Sequence, residues 1–179
     1  MTAKERCLKH TDTDGICAVY VFTPSVFRLV PPRIRHSFSV IDRAKLLLRV
    51  LNGYYVYYET DADKMMGYCF LKRNYLRKYA FLQKQDVLIN PYFVSPEYRG
   101  NGLGGKLIKA AISDSETSWK TVYAVVKEEN MPSIRTLEKL GFQKVGCSDK
   151  KGWSHRLTEQ KTHLPVFCLT RTEKQEKTV

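Results

Sequence analysis

The stretch VSPEYRGNGLGGKLI, residues 94–108, constrains the fold more than any other part of the chain. Before it, Asp86 to Val94 (DVLINPYFV) reads as a strand. After it, Leu103, Leu107, Ile108, Ala111 and Ile112 trace one apolar stripe, so the spacing predicts a helix from the glycines to about Ser115. A strand, a glycine turn and an amphipathic helix in direct succession belong to a layered α/β architecture. Pro91 lacks a backbone donor, so the strand is expected to carry a bulge or to splay from a neighbour there.

The flanking segments fit that frame. In the first 30 residues ICAVYVF is compatible with a strand or a buried helical turn. Ser39 can cap a helix bearing Ile41, Ala44, Leu47, Leu48 and Leu51 at helical spacing, which Asn52 and Gly53 end. Tyr54–Thr60 and Met65–Leu71, separated by the polar DADK, read as a β-hairpin. Thr121–Val126 is a further strand. Asn130 is a helix cap with Pro132 in the first turn; Ile134, Leu137 and Leu140 line that helix and Gly141 stops it. Phe142–Cys147 and Leu164–Thr170 read as the last strands. One domain over residues 1–171 and a polar tail over 172–179 are expected.

Composition narrows the function classes. No apolar run is long enough for a membrane span, and MTAKERCLKH has no leader pattern, so a cytoplasmic protein without a membrane partner is expected. Five scattered cysteines without a CxxC pair and four dispersed histidines argue against a disulfide framework or a metal site. Thirty Lys and Arg against eighteen Asp and Glu give a formal charge of +12, a field that gathers anionic ligands.

The glycine turn is suited to such a ligand. Glycines permit a sharp turn and close approach, and the first amides of a helix point outward with the positive end of its dipole behind them. A pyrophosphate fits that description. No GxxxxGK followed by Ser or Thr is present, which disfavours a nucleoside triphosphatase.

VSPEYRGNGLGGKLIKAAI resembles the acyl-CoA-binding motif of the GNAT superfamily of N-acetyltransferases. Its pattern of Gln or Arg, then Gly, then Gly or Ala is met by Arg99, Gly102 and Gly104. ENMPSIRTLEKLGFQKVG resembles the family's second motif through Asn130, Gly141 and Phe142. The resemblance implies a mixed, mostly antiparallel sheet, splayed at its centre and flanked by helices, with acetyl-CoA as co-substrate and no metal. It further implies that Phe93 and Val94 offer backbone groups to the pantetheine arm. Arg99, Gly100, Asn101, Gly102, Leu103 and Gly104 would hold the pyrophosphate, while Asn130 and Ser133 would reach the cofactor from the other side.

The activity implied is direct transfer of an acetyl group to a primary amine. The positions where many members carry a proton-donating Tyr and a basic Glu hold Leu137 and Asn90 here, with Leu88 as the other cleft-facing position. Asp86, Tyr92 and Tyr123 remain as candidate proton carriers, with His36 as an isolated loop histidine, and positioning with amide polarisation is expected to dominate. Two other functions compete: a CoA-binding protein that has lost catalysis, and a nucleic-acid module built on KRNYLRKYAFLQK, whose aromatics more simply pack inward. The acceptor is a small or macromolecular amine; the charge suggests one carried on something anionic. A monomer or homodimer is expected.

Overall fold

The computed structural model describes residues 3–12, 15–32, 39–50, 53–61, 64–73, 78–114 and 118–170. It divides into two compact units, residues 1–72 with 91–111 and residues 73–90 with 112–179.

In the first unit, β1 (Lys4–Asp12) and β2 (Gly15–Thr23) form a long antiparallel hairpin. ICAVYVF is thus strand, and Val19, Val21 and Phe22 are buried. Next come α1 (Val40–Val50), β3 (Tyr54–Asp61) and β4 (Lys64–Arg73), with β2, β3 and β4 paired antiparallel in order. Val30, Leu46, Tyr54, Val56, Tyr58 and Phe70 make the core between α1 and these strands. The aromatic alternation of YYVYYET places Tyr54, Val56 and Tyr58 on the face that meets α1.

The packing of α1 corrects the expected apolar stripe. Ser39 does sit at its start, its carbonyl accepting from the Arg43 amide. Yet Ile41 is 67% exposed, Leu47 is 44% exposed and Ala44 faces solvent, whereas Leu46 is only 5% exposed. The inward line is Arg43, Leu46 and Val50, so the stem of an arginine takes a place that an apolar count assigns elsewhere. Leu51 and Asn52 lie outside the described residues, and Gly53 follows with φ 72°.

β5 (Val87–Val94) runs through both units. In the second unit it pairs with β6 (Thr121–Val125) in parallel, through Val87–Ile89 opposite Val122–Ala124. These pairs stop just before Asn90 and Pro91, where the missing donor interrupts a ladder. β9 (Pro165–Thr170) then joins β6, β7 (Gln143–Lys151) joins β9, and β8 (Ser154–Thr158) joins β7, all antiparallel. The sheet is therefore mixed and mostly antiparallel, as expected. A register shift between Lys144 and Gly146 and the polar strand SHRLT were not anticipated. α2 (Leu103–Ser113) follows β5, and α3 (Met131–Lys139) follows β6; Leu137, Phe142, Val166 and Phe167 are all buried.

Candidate functional site

The exit of β5 is tightly held. The Ser95 amide donates to the Met66 carbonyl at 2.8 Å and its hydroxyl to the Met65 carbonyl at 2.7 Å, fixing the strand end to β4. Gly67 makes the approach possible, since a Cβ there would stand 2.8 Å from the Phe93 carbonyl oxygen. The Phe93 ring lies against Tyr68 on the α1 face of the sheet, while Tyr92 and Val94 point to the opposite face, beside Gly104.

A short 3-10 turn, Pro96–Tyr98, leads into the glycines. The Tyr98 hydroxyl donates to Asp61 at 3.2 Å, and the Arg99 Nε donates to the Val94 carbonyl at 3.0 Å. The guanidinium is therefore folded back over the strand end. Gly100 and Gly102 have φ of 86° and 73°, conformations that an L side chain adopts only with strain. A Cβ at either would meet nothing within 4 Å, so the backbone turns beside open space. The Lys106 amide makes the bond to the Gly102 carbonyl that begins α2, so the amides preceding it face out of the helix end.

Gly104 is different. It sits in the helix, and a Cβ there would meet Tyr92 and Val94 at 3.5 Å, an ordinary contact. Packing alone does not demand glycine at this position. Lys106, one turn in, is committed to structure: its ammonium lies 2.9 Å from both carboxylate oxygens of Glu59, with both side chains nearly buried.

In the second unit, Asn130 caps α3, its side-chain oxygen accepting from the Ser133 amide at 3.3 Å, and Ser133 is buried. Leu137 is wholly buried and supplies no hydroxyl. Asp86 is near a turn but not exposed: at 4% exposure its Oδ2 accepts from the Gln83 amide at 2.8 Å, so its carboxylate closes the turn before β5. Tyr123 is half-buried against Phe81, their ring centroids 5.4 Å apart. Burial, then the charges of Asp86 and Cys168, raises its hydroxyl above the ordinary value of 10.0, so it stays protonated and can give a proton but not take one. Leu88 is buried and Asn90 half-buried. His36 lies outside the described residues, as does part of the basic segment around Tyr75.

Two features escaped the sequence. One is Ser148 and His155, whose Oγ and Nδ1 are 2.9 Å apart on the β7–β8 ladder, with the imidazole stacked on Tyr79. The only signal was a serine and a histidine in strands too polar to be recognised. The other is a cavity of about 390 Å³ lined by Val26–Val30, Pro32 and Arg43. Its signal was the arginine on the inward line of α1. Among the described residues no three of His, Cys, Asp or Glu stand together as a metal site would need, and no helix is long and apolar enough to cross a membrane.

Comparison with known proteins bears on these geometries. A model of the acetyltransferase (GNAT) family matches residues 23–142. A spermine/spermidine N(1)-acetyltransferase of Bacillus subtilis is 34% identical over 68 residues, 37% of this chain and 45% of the relative. The match thus spans less than half of that relative's length. Among solved structures, mutant forms of the spermidine/spermine N-acetyltransferase SpeG from Vibrio cholerae superpose with a TM-score of 0.58 at 17% identity, covering 90% of this chain and 99% of that one. A GNAT family acetyltransferase from Elizabethkingia anophelis with acetyl-CoA bound gives a TM-score of 0.56 at 10% identity, covering 86% and 98%.

Proposed function

The chain belongs to the GNAT family of acetyltransferases, and from that premise we propose that it moves an acetyl group from acetyl-CoA directly to a primary amine. The observation that carries the reading is the start of α2: two glycines at positive φ, open space beside them, and outward amides at the positive end of a helix. These features suit a pyrophosphate.

In this reading Arg99 and the amides of residues 100–104 hold the pyrophosphate. Arg99 uses Nε on the Val94 carbonyl, which leaves the outer edge of its guanidinium to phosphate oxygens. Backbone groups of Phe93 and Val94 lie along the pantetheine. Asn130 and Ser133 are cofactor contacts on the family resemblance alone, and helix capping is compatible with that role. Acetyl-CoA supplies an activated thioester.

The chain's own part in the chemistry is mainly to orient the two reactants and exclude water. Asp86 is occupied as a turn cap, and Tyr123 is fitted only to donate. Leu137, buried where many members carry a tyrosine, favours a second reading in which the protein binds CoA without turning it over.

Titration calorimetry with acetyl-CoA, followed by thiol release across a panel of primary amines, separates these. Binding with turnover of at least one amine supports the proposal. Binding with no turnover supports the second reading, and a folded protein that ignores acetyl-CoA overturns both.

A further inference from the structure

The cavity in the first unit is built by two elements. A two-residue turn projects Val26 and Phe27, closed by reciprocal backbone bonds between Ser25 and Arg28 at 3.0 and 3.1 Å. Behind it, the Leu29 carbonyl accepts from the buried Tyr54 hydroxyl at 2.7 Å, and Val30 enters the core beside Leu46. The wall is thus braced on β3 and α1. Arg43 reaches the cavity from α1.

Two properties of this cavity select a ligand. Among the described residues, its ionisable lining groups are Arg28 and Arg43, with no carboxylate beside them. Among the described residues, the Arg43 Nε is buried without a hydrogen-bond partner. A buried donor on a cation is rarely left so, and an oxyanion satisfies both its charge and its N–H. The rest of the lining is apolar, and at the lip Phe27 is 99% exposed and Val26 54% exposed. An apolar segment lying on that lip would remove them from water.

The cavity also lies on the face of the sheet to which Phe93 turns. The rings of Tyr54, Phe70, Tyr68 and Phe93 follow one another at centroid separations of 5.6, 5.5 and 5.7 Å, starting beside Val30. The cavity wall and the end of β5 are thus joined across a single packed face.

We infer that this cavity takes the oxyanion end of the amine acceptor, a carboxylate or phosphate attached to an apolar body, and so selects an anionic amine over a polyamine. The inference rests on the acetyl-transfer reading. A polyamine carries no group for Arg28 or Arg43 and is repelled by both, in a chain whose formal charge is already +12.

The test uses the full chain. Calorimetry with 3-phenylpropionate, phenyl phosphate and 3-phenylpropanol should show binding of the anions and not of the alcohol, and the stronger anion identifies the source. Arg43→Ala and Arg28→Ala should each weaken anion binding by about tenfold or more while acetyl-CoA affinity stays unchanged. Thiol-release kinetics should favour a long ω-amino acid, 12-aminododecanoate, over its amide and spermidine, with Arg43→Ala raising KM for the amino acid and sparing kcat. Because Arg28 is exposed, its variant folds even if the Arg43 variant does not. Equal binding of the alcohol and the anions, or turnover indifferent to the carboxylate, overturns the inference while leaving acetyl transfer intact. Arginine-dependent anion binding with no binding of acetyl-CoA places the failure in the acetyl-transfer reading instead, and the acceptor role falls with it.

Discussion

The two helices that follow β5 and β6 begin in opposite ways. α3 starts at Asn130, whose side chain turns back to accept from the Ser133 amide, so the helix satisfies one of its own leading donors. α2 starts at Gly102, which has no side chain to offer, at φ 73° and beside open space. One start is finished by the chain itself. The other keeps its donors for something that arrives, and its turn is held in place by Ser95, Tyr98 and Arg99.

That contrast can be broken at several points. The largest effect is expected from Gly102→Val, which forces a β-branched residue to positive φ. Roughly 1–3 kcal/mol of stability should be lost in denaturant titrations, together with measurable acetyl-CoA binding. If Gly102→Val binds as the wild type does, the turn is not the phosphate site.

Asn130→Ala should cost about 1 kcal/mol in the same titrations, the usual loss of a cap, with a smaller effect on acetyl-CoA affinity than any glycine-turn variant. A large loss of affinity at unchanged stability would instead make Asn130 chiefly a cofactor ligand. Asp86→Asn keeps an oxygen for the Gln83 amide but removes the base; kcat should change by less than about threefold, and a collapse of kcat with acetyl-CoA binding intact would restore Asp86 as a proton carrier.

The smallest effect concerns His155. Burial first, then Lys78 and Lys150, lowers its ionisation below the ordinary 6.5, so the folded state prefers the neutral ring. Its contribution is complete above pH 6.5 and is lost as pH falls through the lower folded value. His155→Phe should flatten that acid limb of the stability profile, and an unchanged limb would assign the acid loss to other groups.

How far the sequence revealed all this depended on how strongly each segment was marked. The glycine turn, the β3–β4 hairpin and the capped α3 carry residues whose local conformations are nearly forced, and they stand where they were expected. β1 and β8 were missed because KERCLKHTD and SHRLT are polar edge strands, held by pairing rather than by a buried face. α1 was read with the wrong face inward because Ile41 and Leu47 outweighed Arg43 in any apolar count, although the arginine stem turns in. The same misreading hid the cavity. Asp86 was legible as a carboxylate near a turn, but its partner, the Gln83 amide, is fixed only by the folded backbone.

Gly104 offers the most direct measurement, because there folding and binding make different demands. A Cβ at Gly104 meets only ordinary contacts at 3.5 Å, and a carboxylate suits the first turn of a helix while repelling a bound pyrophosphate. Titration of Gly104→Asp with acetyl-CoA, alongside its unfolding curve, should show stability close to the wild type and affinity weakened by about tenfold or more. Wild-type affinity in a protein of wild-type stability would contradict the account, since the cofactor would then not approach the backbone at the start of α2.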